Sequence, residues 1–139
     1  MNVEIKYLGP GDEDLFDRIA PGVFDNAIER ATLSHYLGTP GHHLIVALSK
    51  GEIVGHVAAV VHRHPDLRPT ELYLDEVAVT PGLQRQGIAA LIQAAFVLGR
   101  ELGCAEAWVG TEPDNLPATA LYERRSLPAE PFVMYVFKL

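Results

Sequence analysis

Residues 77–92 read VAVTPGLQRQGIAALI, and this stretch decides the fold. Val77–Val79 closes a run of β-formers, 71–79 (ELYLDEVAV), which Thr80-Pro81-Gly82 then breaks. A helix is predicted from about Gly87 to Leu102, with Ile88, Leu91, Ile92, Ala95, Phe96 and Leu102 on one apolar stripe. A strand that runs through a tight loop into a helix start presents free backbone N–H groups and the positive end of the helix dipole. Together these suit an anion, phosphate above all. Gly87 would let a pyrophosphate approach the backbone with no Cβ in the way, Ala89 and Ala90 keep the first turn open, and Arg85 adds positive charge. The loop is not that of a nucleotide hydrolase, because no Gly-Lys-Ser/Thr follows. It also lacks the three glycines of a dinucleotide fingerprint.

Outward from this stretch, short elements alternate. Residues 3–7 (VEIKY) alternate apolar and polar as a strand, and Asp12 is placed to cap a helix carrying Leu15, Phe16 and Ile19. After Pro21-Gly22, a second helical period runs through Val23, Ala27, Ile28 and Ala31 towards Tyr36. Residues 44–48 (LIVAL) and 53–61 (IVGHVAAVV) read as an antiparallel hairpin about the turn Ser49-Lys50-Gly51-Glu52. Beyond the long helix come a strand at 105–110, a short helix from Pro117 to Arg125, and a final strand at 132–138 (FVMYVFK). The order βααβββαβαβ predicts a mixed α/β domain around one central sheet, with residues 1–139 as a single domain.

Composition narrows the function classes. The 139 residues fall within the usual size of one domain, roughly 100–150 residues. Eleven Lys and Arg against 18 Asp and Glu give a formal charge of -7. Such a surface repels phosphate backbones and anionic lipid, so neither nucleic acid nor a membrane is the expected partner, and a cationic substrate is favoured. The single Cys104 leaves no internal disulfide, which points to a reducing, cytoplasmic setting. The N-terminal residues lack a secretory pattern, and no apolar run approaches the roughly 18–20 residues of a membrane helix.

Gln84-Arg85-Gln86-Gly87-Ile88-Ala89 resembles the acyl-CoA-binding Q/R-x-x-G-x-G/A signature of the GNAT superfamily of N-acetyltransferases. The preceding DEVAVTP is similar to that family's strand, and Asn115 through Ala118 to Leu121-Tyr122 resembles its N-x-x-A-x-x-L-Y element. The likeness spans nearly the whole chain and is strongest over residues 71–122. Through LYLDEVAV, QRQGIA and PATALY, it is most similar to the aminoglycoside 3-N-acetyltransferase type I subgroup. One departure stands out: Ser126-Leu127 replaces the usual Gly-Phe after the tyrosine helix.

The resemblance implies a mostly antiparallel twisted sheet flanked by helices, with acyl-CoA bound where two strands splay. It implies direct acetyl transfer from acetyl-CoA, as co-substrate, to a primary amine, with no covalent enzyme intermediate. In that reading the N–H groups of Gln86, Gly87, Ile88 and Ala89 hold the pyrophosphate, supported by Gln84 and Arg85. The strand Val77-Ala78-Val79 pairs with the pantetheine arm, with the backbone of Val77 and Val79 making the contacts. Glu76 is the candidate base or, alternatively, a solvated strand residue. Asp75 is expected on the opposite face by strand alternation. Tyr122 is the candidate acid for the leaving thiolate, or a core tyrosine. Asn115 either contacts the pantetheine or caps the short helix, and Glu112 is either at the acceptor mouth or a solvated loop charge. The acceptor is a small cationic amine, aminoglycoside-like; a peptide amine and a non-catalytic acyl-CoA-binding module are the alternatives.

Other residues attract structural readings. His42, His43, His62 and His64 have no carboxylate or cysteine at ligand spacing, so no metal is expected. Cys104, Trp108 and Phe96 are expected to serve packing. The apolar final strand, through Phe132, Met134 and Val136, offers a surface for a homodimer.

Overall fold

The computed structural model describes residues 2–124 and 128–139. Its sheet has five strands in the order β1 (Glu4–Tyr7), β2 (His42–Ser49), β3 (Glu52–His62), β4 (Glu71–Val79) and β5 (Glu106–Val109). Neighbours are antiparallel except β4 and β5, which are parallel and joined by α2 (Gln84–Glu101). Among the described residues there are two further α-helices, α1 (Arg30–Gly38) and α3 (Leu116–Glu123).

Leu44–Leu48 are buried without a break, as are Ile53–Val57. Since successive side chains leave opposite faces of a strand, both faces of the sheet centre are covered. The α2 helix packs on β2, β3 and β4, while α1 packs on β2. Contact with α2 is close because glycines lie where the backbones meet. A Cβ on Gly87 would stand 2.8 Å from Val79 Cγ1, and one on Gly99 would stand 3.3 Å from Leu72 Cδ2. The helix therefore lies antiparallel to β4, with one glycine at each end of the contact. The Tyr7 hydroxyl donates to the Ala94 carbonyl at 3.0 Å and fastens β1 to the same helix.

Several predicted elements differ from those observed. The helix expected after Asp12 is only a 3-10 turn, Glu13–Asp17, because the Asp12 carboxylate turns back to accept from the Gly9 N–H at 2.9 Å. The second helical period starts late: Ala31 to Tyr36 lie in α1, but the chain through Val23, Ala27 and Ile28 is not helix. Gly22 at φ 80° redirects the chain, the Thr80 hydroxyl donates to the Pro21 carbonyl at 2.7 Å, and the Ala20 N–H donates to Ile53. These bonds tie Ile19, Ala20 and Pro21 to the sheet, and residues 22–28 follow as an irregular segment with Val23 fully buried.

The strand predicted at 132–138 does not form. Phe132–Phe137 are each between 69% and 80% exposed, without regular structure. High β-propensity describes a surface that suits a sheet, and here no ladder partner is engaged. Trp108, predicted to be core, is 40% exposed on β5 and stacks on Tyr73 at 4.2 Å. Phe96 is partly buried against the core, as is Cys104, whose thiol burial pushes up in pKa, away from a nucleophile's range. Arg125, the predicted end of the short helix, and the departing pair Ser126-Leu127 lie outside the described residues.

Candidate active site

The parallel pair is short. β4 and β5 run together only from Glu71/Glu106 to Leu74/Val109, whereas β4 continues to Val79. Its last residues therefore keep β3 on one edge and have no β5 partner on the other. Thr80 N–H donates to Val54 on the β3 side. Backbone groups of successive strand residues point to opposite edges, so Val79 and Val77 present theirs to the open one, with Ala78 turned towards β3. An extended chain could join that edge as an added strand.

At the end of this edge stands the α2 N-terminus, three residues earlier than the sequence predicted. The shift changes which donors are free. Gly87 N–H donates to the Leu83 carbonyl at 2.9 Å and Leu83 N–H to Thr80 at 3.2 Å. Helix N–H groups beyond the first turn are used internally, so Ile88 and Ala89 fall in the same class as Gly87. The free donors are those of Gln84, Arg85 and Gln86, all exposed. The reading of Gly87 as room for a ligand is likewise corrected: it is buried, and its missing side chain is space for Val79.

The β3–β4 pairing slips one residue between Ala58 and Ala59. Ala58 faces Glu76 and Ala59 faces Leu74, which leaves Asp75 as the extra residue of a β-bulge. The bulge overturns the simple alternation that put Asp75 and Glu76 on opposite faces. Both line one cavity of about 460 Å³, whose opposite wall is Phe24, Asp25, Asn26, Ala27 and Ile28 from the irregular segment. Three carboxylates thus face a cleft with no cation in its lining. Burial first, then the neighbouring charges of Asp25 and Asp75, push the Glu76 carboxyl above its ordinary pKa.

Behind Glu76 lies His56 of β3, not among the candidate residues drawn from the sequence. It is 1% exposed, stacked on Phe24 at 4.0 Å, with Nε2 3.4 Å from Glu76 Oε2. Burial lowers its pKa to about 4, against weaker opposing pulls from the Val23 backbone and Asp25. Neither ring nitrogen has a hydrogen bond of good geometry. The contact with Glu76 is not an ion pair, since burial drives both groups towards their neutral forms. The signal available in the sequence was its place in the pattern, a polar residue amid Ile53–Val61 directed to the core.

The remaining candidates are scattered. Tyr122 is half-buried on α3 against the core, and burial raises its phenol pKa, so it holds its proton. Asn115 is the α3 cap: its side-chain oxygen accepts from Ala118 N–H at 3.3 Å, which answers the cap-or-ligand question for that oxygen. Glu112 is exposed, lies outside the acidic cavity's lining, and its carbonyl accepts from Asn115 N–H at 3.0 Å. Arg18 and Lys50, not singled out in the sequence, line a second cavity of about 530 Å³ bordered by Pro81, Gly82 and Leu83 before α2.

A mostly antiparallel sheet whose one parallel pair parts in front of an open helix N-terminus is the fold of an acetyltransferase. The chain belongs to the acetyltransferase (GNAT) family, which it matches over residues 13–126. It is 36% identical to human N-acetyltransferase 8 over 89 residues, 63% of this chain and 39% of that protein. The match therefore spans about two-fifths of that relative's length. Among solved structures, it superposes on aminoglycoside acetyltransferase HMB0005 from an uncultured soil metagenomic sample with a TM-score of 0.84 at 24% identity, covering 100% of both chains. Aminoglycoside N-acetyltransferase AAC(6')-Iy in complex with CoA gives a TM-score of 0.76 at 19% identity, covering 99% of this chain and 95% of that one. At these identities the structural likeness concerns the fold. Among the described residues, no helix is long and apolar enough to cross a membrane.

Proposed function

We propose that this protein is an N-acetyltransferase that carries an acetyl group from acetyl-CoA directly to a primary amine of a small cationic acceptor. The observation that carries the reading is the acidic cleft of Asp25, Asp75 and Glu76, set on the same strand whose next residues have an open edge. Family membership supports the reaction class, and an aminoglycoside-like acceptor is supported by the neighbours' named substrates. Within that class, the likeness of LYLDEVAV and QRQGIA to the type I 3-N enzymes is the basis for favouring that subgroup.

The residues fit such a co-substrate. The open edge at Val77 and Val79 matches an arm that carries amides, and the free N–H groups of Gln84, Arg85 and Gln86 with the Arg85 guanidinium suit its pyrophosphate. An edge N–H of β4 would polarise the thioester carbonyl without any side chain. The acceptor enters as an ammonium ion, attracted by three carboxylates. It can attack only as a free amine, and Glu76, with its raised pKa, is placed to take the proton. His56 backs Glu76 with a neutral ring. Tyr122, protonated at neutral pH, supplies a proton to the departing thiolate.

In this reading one domain houses the sheet, co-substrate edge and acceptor cleft, and it works in the cytoplasm. The exposed run Phe132–Phe137 favours association with a second copy, and sedimentation should find a dimer that a Val136→Asp change dissociates. The function itself is tested by following thiol release from acetyl-CoA against a panel of polyamines, aminoglycosides and amino-terminal peptides. Turnover confined to the polycations supports the proposal. Turnover on peptides alone would reassign the acceptor, and acetyl-CoA binding with no turnover on any amine would leave a binding module.

A further inference from the structure

A second cluster of ionisable side chains lies at the far end of the β3–β4 hairpin. His62 ends β3 and Glu71 begins β4, and the two are register partners across the antiparallel pair, so their side chains leave the same face. His64, two residues into the connecting loop, folds back until its ring centroid is 4.5 Å from that of His62. His62 Nδ1 lies 3.5 Å from Glu71 Oε2, and His64 Nε2 lies 3.4 Å from Glu71 Oε1. One donor atom from each of the three residues sits within 4.8 Å of the other two.

The His64 side chain is only 7% exposed, yet its Nε2 has no hydrogen-bond partner. A buried polar atom of this kind demands a reason. The Glu71 carboxylate alone does not supply one, because His62 approaches the same carboxylate. A cation that accepts the lone pairs of two neutral imidazoles and one carboxylate satisfies all three groups together. Two ligands at about 2.0–2.1 Å from a tetrahedral ion stand about 3.4 Å apart, and each histidine lies near that spacing from a different oxygen of the Glu71 carboxylate, His62 from Oε2 and His64 from Oε1.

We propose that His62, His64 and Glu71 bind a zinc ion, with the fourth position left to water. Two imidazoles and one carboxylate suit zinc, whereas magnesium and calcium require mainly oxygen ligands. Glu106, the register partner of Glu71 on β5, adds negative charge beside the site. Asp66, in the same loop, is engaged by Arg68 at 3.2 Å and is not a ligand. The five residues from Glu71 to Glu76 place the ion about 16 Å along β4 from the acidic cleft, at roughly 3.3 Å per residue. Zinc here clasps the 62–70 loop to the sheet and takes no part in acetyl transfer, so the inference is independent of the proposed function. The site runs against the expectation of no metal drawn from ligand spacing, because its carboxylate comes from across the hairpin, seven residues beyond His64.

Calorimetric titration of chelator-treated full-length protein with Zn2+ tests the site, alongside thermal melting and Co2+ absorption. One equivalent should bind, raise the Tm, and give the visible bands of tetrahedral cobalt. His64→Ala and Glu71→Gln, each checked for native circular dichroism, should lose more affinity than the roughly 10- to 100-fold that removal of an outer partner costs. His35→Ala, on the exposed face of α1, should bind as the parent does. Absence of heat and Tm shift in the parent overturns the proposal, as does binding undiminished in both ligand variants. Should one variant misfold, the other carries the comparison.

Discussion

Acidification forces a proton onto His56, and the structure fixes what that costs. The ring is 1% exposed and stacked on Phe24, and burial lowers its pKa from 6.5 to about 4. A folded-state pKa depressed in a base means that the unfolded chain binds the proton more readily. Stability is then intact above pH 6.5 and is lost as pH falls from there towards 4. At RT of about 0.59 kcal/mol, the loss assigned to this one group is about 2 kcal/mol at pH 5 and about 3 kcal/mol at pH 4. That is a large share of a typical stability of roughly 5–15 kcal/mol. The ionisable groups around the ring are Glu76 on β4 and Asp25 on the irregular segment. Urea unfolding between pH 7.5 and 4 for the parent and His56→Leu isolates the contribution. The variant starts lower, having lost the Phe24 stack, but its stability should fall less steeply with pH, and the gap between the two curves should close by those amounts. The imidazole proton resonances of His56 should titrate near 4. Parallel stability curves, or a midpoint near 6.5, would refute the assignment of a neutral buried imidazole behind Glu76.

Gly87→Ala places a Cβ 2.8 Å from Val79 Cγ1, an overpacking cost of about 1–3 kcal/mol set against about 1 kcal/mol of helix propensity regained. Thermal melting should show a Tm lower by several degrees, and a raised Tm would end the packing account of this glycine. Tyr122→Phe should cut kcat by about 100-fold or more while the KM for acetyl-CoA stays nearly constant; loss confined to KM would make the tyrosine a binding residue. Glu76→Gln should remove the acidic limb of the kcat/KM profile, a limb placed above the ordinary carboxyl value because burial and Asp25 hold that pKa up. Asp25→Asn should raise the KM for a polycationic acceptor more at low salt than at high salt, and an unchanged KM would remove that wall of the cleft from recognition.

The sheet was largely legible because its signals are local. The β-formers of 71–79 became β4 with the same limits, and the turn at Ser49–Glu52 joined β2 to β3 as read. Where the reading failed, a hydrogen bond or packing partner outside the hydrophobic pattern had decided. Asp12 accepts from Gly9 N–H and ends the first helix at a 3-10 turn, while Val23 is drawn into the core from a segment tied to Pro21 and Ile53. The 132–138 run had strand composition and no engaged partner. Composition can supply a face but not the edge it needs.

The acidic cleft shows the same limit at the scale of one residue. Glu76 was identifiable as a carboxylate before an open strand edge, but its company was not. Simple strand alternation sends Asp75 away from it; the bulge's trace is a change of phase, from apolar Leu72 and Leu74 before the pair to Val77 and Val79 after it. With the slip at Ala58/Ala59, Asp75 joins Glu76 in one cavity, and the irregular segment brings Asp25 to face them. Burial raises the Glu76 pKa first, and the like charges of Asp25 and then Asp75 push it further. The bulge therefore does two things at once: it concentrates negative charge where a cation would bind, and it adds the Asp75 charge to the burial and the Asp25 charge that already raise the Glu76 pKa. A substitution that restored regular pairing at Asp75 would weaken both together, whereas Asp75→Asn, which keeps the backbone, should lower the Glu76 pKa and leave the cleft's shape unchanged.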